Sequence, residues 1–325
     1  MKKIVYVVES KSWVQYERAK LLQKKISFFQ IRILSSKFFL FLWRLGFFRK
    51  KIIFFSSWRI VHSYLKKNPK TFSEKNYKNF ATAVTSHSNI GGGLKPTIAT
   101  GSRNPADAFL IAIEILSKFK QVSVNSMILF NLLKDEIDNL SYCPNGVDSD
   151  FFNPDKRKIF NPKKIIIGWA GKDRAAKNIN LIRDIQQMHR NNKSVFFEMV
   201  LVNKGLKGEI LSAQQMANFY KNIDFYIVPS WNEGTPNPAL EAAASGVPII
   251  STAVGNMPEI IKHGKNGYFI EPELDSISEV INLIEKISEK GYGVMSKNIR
   301  QEIIDKWGWN KRMANFEEFF KQLLV

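Results

Sequence analysis

Short apolar runs alternate with longer stretches of helical periodicity along the whole chain. Ile4–Val8 predicts a strand and Trp13–Lys25 a helix. Ser27–Leu34 predicts a second strand, Lys37–Phe48 an aromatic helix and Lys51–Ser56 a third strand. Asn79–Thr85 and Gln121–Asn125 predict later strands of the same sheet. Strand and helix in strict succession imply a parallel sheet covered on both faces. The segment Pro144–Pro154 is dense in Pro, Asn, Gly and Asp, so it is a loop. A second series follows. Strands are predicted at Lys164–Trp169, Ser194–Val202, Asp224–Pro229 and Pro248–Thr252. Helices are predicted at Ile179–Arg190, Ala213–Asn222, Pro238–Ser245, Ser276–Lys290 and Ser296–Asp305. In the last segment, Trp309–Leu324, Met313, Phe316, Phe320 and Leu323 form one apolar stripe.

This reading gives an α/β chain of two Rossmann-like domains. The expected division is 1–154, 155–308 and a closing helix over 309–325. In sheets of this kind ligands bind beyond the carboxyl ends of the strands. The length of 325 residues suits two domains. The 45% apolar and 24% charged composition is that of an ordinary globular protein.

Charge changes the picture. The net charge of +19 lies wholly within residues 1–134, and residues 135–325 balance to zero. A basic half points to an anionic partner such as phospholipid, a lipid-linked pyrophosphate or nucleic acid. A Lys-rich composition spread over a solvated surface gives the same count. Cys143 is the single cysteine, which excludes an internal disulfide framework and fits a reducing compartment. The N-terminal apolar run is too short for a signal-peptide core. No stretch reaches the roughly 18 uninterrupted apolar residues of a membrane span. A cytoplasmic location is therefore expected, with the basic half placed on the cytoplasmic membrane face.

The richest stretch is Val228–Ile261, VPSWNEGTPNPALEAAASGVPIISTAVGNMPEII. A buried strand ends at Pro229, and a loop then carries Glu233, Gly234, Thr235, Pro236 and Asn237. A small-residue helix follows, with Glu241 read in its first turn, eight positions after Glu233. A helix N-terminus offers free N–H groups and a positive dipole end to a diphosphate. Gly234 permits close backbone approach. Carboxylates accept hydrogen bonds from sugar and ribose hydroxyls.

This stretch resembles the Glu-x7-Glu donor signature of glycosyltransferase family 4, retaining enzymes of the GT-B fold. The resemblance implies that Glu233 contacts the transferred sugar and Glu241 the ribose. It implies that the backbone at Gly234 and Thr235 faces sugar and diphosphate. Upstream, GWAGKDRAAKN (Gly168–Asn178) follows a predicted strand and precedes a helix, and it is similar to the family stretch whose Arg and Lys reach the diphosphate, which implies donor contacts at Gly171 and the cations after it. Lys172 and Lys177 stand at the family's Arg and Lys spacings, and Arg174 lies between them. Lysine supplies a point charge without the bidentate fork of arginine. PNGVD (Pro144–Asp148) resembles the family's interdomain connector, and the helix after Trp307-Gly308-Trp309 resembles its closing helix.

The N-terminal half departs from the pattern. The loop after the first strand, Glu9–Gln15, holds no glycine. His87, followed by Gly91–Gly93, stands where the family often has a functional histidine. Its imidazole can meet a sugar hydroxyl or serve as an ordinary loop residue. No His/Cys/Asp cluster has metal-ligand spacing and no Asp-x-Asp occurs, so a metal-independent enzyme without cofactor is expected. The stretch Lys37–Lys51, KFFLFLWRLGFFRKK, reads either as a membrane-surface helix or as a core helix.

The expected function is retaining hexosyl transfer from a nucleotide diphosphate sugar to a hydroxyl acceptor. A lipid-linked or surface-polysaccharide glycan is the expected acceptor class, with an anionic membrane surface as partner. Two alternatives stand beside it. A nucleotide-sugar epimerase of GT-B architecture would convert the donor without an acceptor. A basic nucleic-acid-binding protein would show steep salt dependence and ignore sugar nucleotides.

Overall fold

The computed structural model describes residues 2–9, 14–90, 105–201 and 211–324. Most of the loop after the first strand, the glycines at 91–93 and Val202 lie outside the described residues. The chain divides into two compact units. The first comprises residues 1–92, 96–145 and 312–325, and the second comprises 93–95 and 146–311. Residues 146–154 thus group with the second unit, and residues 309–311 of the last helix do too.

The first unit runs β1 (Lys2–Val8), α1 (Val14–Lys25), β2 (Phe29–Ser35), α2 (Ser36–Arg44), β3 (Ile52–Phe55) and α3 (Trp58–Lys67). It continues α4 (Glu74–Tyr77), β4 (Phe80–Val84), α5 (Pro105–Leu116), β5 (Gln121–Val124), α6 (Met127–Leu133) and β6 (Leu140–Tyr142). All six strands pair in parallel in the order β2-β1-β3-β4-β5-β6. Central strands of such sheets are buried on both faces, and β4 accordingly has no exposed position. One face of the sheet is aromatic: Phe39, Trp43, Phe55, Phe72 and Phe80 pack edge to face with ring centroids 5–6 Å apart. Ser126 caps α6 by accepting from Leu129 N at 3.3 Å.

The second unit runs β7 (Ile165–Gly171), α7 (Ile179–Met188), β8 (Val195–Leu201), α8 (Ala213–Asn222), β9 (Phe225–Val228), α9 (Asn237–Ala244), β10 (Ile249–Ser251), α10 (Met257–Ile260), β11 (Gly267–Phe269), α11 (Leu274–Ile284) and α12 (Glu289–Lys306). Its parallel sheet has the order β11-β10-β9-β7-β8. The strand order reverses at β7, which has β8 on one side and β9 on the other. The crevice beyond the carboxyl ends of β7 and β9 is therefore the expected ligand position. The break between the two late helices falls at residues 285–288. Ser288 caps α12 there by accepting from Gly291 N at 3.1 Å. The apolar periodicity predicts one helix through this turn, over Ser276–Lys290, and the next helix only from Ser296, beyond Gly291 and Gly293, because glycine is a poor helix former.

The final helix, α13 (Trp309–Leu324), begins in the second unit and completes the first. Phe319 and Phe320 lie 5.5 and 5.6 Å from the Phe54 ring, and Phe320 lies 4.9 Å from Phe29. Within the second unit, Val147 forms a parallel bridge with Gly308, and Gly146 meets Trp309 so closely that a Cβ would stand 2.9 Å from its Cα. The two motifs read as connector and closing helix therefore touch, and glycine is required at 146 by that approach.

Candidate active site in the second unit

β7 ends at Gly171, and the chain then passes Lys172 and Arg174 into a 3-10 turn, Ala175–Lys177. Asn178 follows in left-handed conformation with φ 50°, which redirects the chain into α7. Asparagine tolerates this region better than most residues. The turn aims Lys177 at the loop beyond β9. There the Lys177 ammonium donates to Glu233 Oε1 in a close ion pair, and Ser230 Oγ donates to the same oxygen at 2.8 Å. Glu233 is 7% exposed. A carboxylate so enclosed requires partners of this kind.

The loop carrying Glu233 is fixed from three directions. Trp231 N donates to Ala176 O at 2.9 Å, which ties the loop to the 3-10 turn. Thr252, just past β10, donates through Oγ1 to Ser230 O at 2.7 Å. Gly255 has φ +55°, and a Cβ there would lie 2.2 Å from Gly234 O and 3.2 Å from Glu233 Cβ. Loop ends of β7, β9 and β10 thus converge on one carboxylate.

α9 opens at Asn237, one residue earlier than read from the sequence, with Pro236 as N-cap and Pro238 within its first turn. Glu241 is therefore its fifth residue and starts the second turn rather than lying in the first. It is partly buried, and Tyr220 on α8 donates to its Oε2 at 2.8 Å. Burial pushes the Glu241 carboxyl up to about 7, against the opposing hydrogen bond from Tyr220. Burial and the adjacent Glu241 charge also push the Tyr220 hydroxyl well above its ordinary value. Ala239, Ala242, Ala243 and Ala244 are buried, so α9 lies close against its neighbours. Arg157 and Arg300 donate to the carbonyls of Gly246 and Ala244 and hold the far end of this helix.

Of the residues read from sequence, Lys177 and Glu233 are brought into direct contact, and Gly234 lies beside Glu233 with its carbonyl against Gly255. Gly171, Lys172, Arg174, Thr235, Pro236, Asn237 and Glu241 lie on the same strand ends and the helix start. Arg174 is exposed, and Lys172 is partly buried. His87 belongs to the first unit, where it opens a 3-10 turn after β4 and is buried. The sequence reading missed Ser230, Tyr220, Thr252 and Gly255. Gly255 carried a signal, a glycine in the loop just past a short strand.

No group of three or more metal-ligating side chains occurs among the described residues. No described helix is long and apolar enough to cross a membrane.

Residues 207–302 match the family model described as glycosyl transferases group 1. Over 214 residues the chain is 27% identical to the UDP-Gal:alpha-D-GlcNAc-diphosphoundecaprenol alpha-1,3-galactosyltransferase of Escherichia coli, covering 57% of this chain and 55% of that one. It is 28% identical over 111 residues to the lipopolysaccharide 1,2-N-acetylglucosaminetransferase of Salmonella typhimurium, covering 34% and 29%. The chain spans about half the length, or less, of these curated relatives. Among solved structures it superposes on sucrose-phosphate synthase of Thermosynechococcus elongatus with TM-score 0.76 and 14% identity, covering 100% and 99% of the two chains. It superposes on Anabaena HepE, solved with UDP, with TM-score 0.68 and 10% identity, covering 99% and 100%. The fold is GT-B, and the two curated relatives named above are glycosyltransferases.

Proposed function

We propose that the protein is a retaining glycosyltransferase that moves a hexosyl unit from a nucleotide diphosphate sugar to a hydroxyl of a lipid-linked or surface-polysaccharide glycan. The observation that carries this reading is the enclosed Glu233, paired with Lys177 beyond the carboxyl ends of β7 and β9. An enclosed carboxylate and two lysines suit a ligand with hydroxyls at one end and a diphosphate at the other. The names of the relatives support the substrate class. One acts from a UDP-sugar on a lipid diphosphate, and another acts on lipopolysaccharide. UDP-sugars are therefore the donors to try first.

In this reading Lys177 passes from Glu233 to the diphosphate when donor binds. That exchange frees Glu233 to accept a hydroxyl of the sugar. Glu241 accepts from the ribose. During transfer the bond from the anomeric carbon to the diphosphate oxygen breaks. A bond from that carbon to the acceptor oxygen forms on the same face. The acceptor proton passes to the departing diphosphate oxygen. Lys172 and Lys177 stabilise the charge that develops there, and the rest of the rate comes from positioning.

A thermal-shift panel tests the donor site. Wild type and Glu241→Ala are heated with UDP, GDP, CDP, ADP and their common sugars. A ligand that binds only the folded state raises the melting temperature. One nucleotide series is expected to raise it in wild type and to do so weakly in the variant. Equal shifts in both proteins would remove Glu241 from the site. A transfer assay with the stabilising donor then separates a transferase from an epimerase, which needs no acceptor.

A further inference from the structure

Residues 18–73 hold fourteen Lys and Arg and not one Asp or Glu. α2 lies within this stretch and has two apolar faces of different fate. Phe39 and Trp43 are buried against the sheet. Phe38, Phe41, Leu45 and Phe47 point outward, each about half exposed or more. Phe38, Phe41 and Leu45 follow helical spacing on one side of α2, and the Phe38 and Phe41 rings stack with centroids 6.5 Å apart. Scattered exposed apolar residues need no explanation, but a contiguous set marks an interaction surface.

The set is held rigidly. After Leu45, Gly46 turns left-handed with φ +87°. Gly46 N donates to Trp43 O at 3.0 Å and Phe47 N to Leu42 O at 3.1 Å, the paired bonds of a glycine helix stop. Phe48 then also takes positive φ, 65°, which is costly for a bulky residue. Its ring stacks on Phe39 at 6.1 Å, which compensates. The turn therefore sends Phe48 inward and leaves Phe47 outward.

Cations collar the set. Lys37, Arg44, Arg49, Lys50 and Lys51 are all exposed. Lys37 and Arg44 follow helical spacing beside Phe41 and Leu45, while the Arg49 guanidinium lies 4.6 Å over the inward Trp43 ring and that of Arg32 lies 5.7 Å over the inward Phe48. Apolar rings within a basic collar complement one surface above others: acyl chains beneath anionic headgroups. A second copy of this chain would present the same cations and repel. Nucleic acid would satisfy the collar and leave Leu45 and the stacked phenylalanines in water.

We propose that the outward face of α2 and its turn dock the protein on an anionic lipid bilayer, with Phe38, Phe41, Leu45 and Phe47 in the acyl boundary and the collar at the headgroups. The full chain is incubated with vesicles of phosphatidylcholine alone and of phosphatidylcholine with phosphatidylglycerol in equal parts, and binding is read by flotation. Wild type is expected to float with the anionic vesicles and to stay behind with the neutral ones. Phe38→Ser with Phe41→Ser should reduce partitioning by tenfold or more, and Lys50→Glu with Lys51→Glu should do the same. These side chains are exposed, so unchanged melting temperatures are expected of both variants. A third variant, Phe47→Ser alone, covers the case in which a pair fails to fold. Wild type that does not float with anionic vesicles overturns the proposal. So does undiminished floating of the folded variants. An aromatic-dependent dimer in light scattering, or an RNA affinity that the aromatic variants lose while vesicle binding persists, likewise overturns it.

Discussion

Glu233 and Glu241 differ in how each carboxylate is satisfied. Lys177 and Ser230 hold Glu233 by direct contact, so its charge is neutralised in place. Glu241 has a neutral phenol as partner and is pushed up to about 7. Its folded value lies above its unfolded one, so between about 4.5 and 7 the folded state holds a proton that the unfolded state has lost. Stability contributed by this group is thus present at low pH, falls as pH rises through that window, and is level above it. At roughly 1.4 kcal/mol per pH unit the loss is on the order of 3 kcal/mol. Glu241→Gln should remove the slope, so the urea stability difference between variant and wild type should grow across the window and then stay constant. Donor affinity, by contrast, should strengthen in wild type as pH rises through about 7, because a carboxylate accepts hydroxyl hydrogen bonds more strongly than an acid. A pH-independent calorimetric affinity in wild type would contradict this. The spacing of the two glutamates was legible in the sequence. Tyr220 was not, because it meets Glu241 through the packing of α8 on α9 and no local pattern records that.

Loops set the site among elements that are themselves regular. The helix α9 and strands β7 and β9 were legible because periodic burial and proline punctuation mark them. The three-residue strands β6 and β11 were missed, since so short a run carries no period, whereas the equally short β10 was legible because Pro248 opens its apolar run. In α2 the apolar run hides the helical period: nearly every position is apolar, so the sequence could not separate Phe39 and Trp43 from Phe38 and Phe41. Gly255 shows what a loop element contributes. Its backbone lies against Gly234 O at a distance no side chain permits, in a conformation that favours glycine. Gly255→Ala should therefore shift the Glu233 loop and cost about 2 kcal/mol or more of stability. Nucleotide-sugar affinity should fall with it, measured by calorimetry. An unchanged melting temperature would show that the loop yields without cost.

At the scale of the molecule, the first unit is assembled from two distant parts of the chain. Phe316, Phe319, Phe320 and Leu323 of α13 are almost fully buried, alongside the other side chains of its core. Phe320→Ala should destabilise by about 3–5 kcal/mol, read by urea unfolding, while nucleotide binding to the second unit persists below the transition. A wild-type midpoint in that variant would mean that α13 contributes little to the first unit. The discontinuity also bears on synthesis. Residues 312–324 leave the ribosome only after the whole of 146–311 has been made. At about 5–20 residues per second, Phe29 and Phe54 wait some tens of seconds for their partner Phe320. During that interval the nascent chain displays an open aromatic surface, and the second unit can fold first although it is translated second.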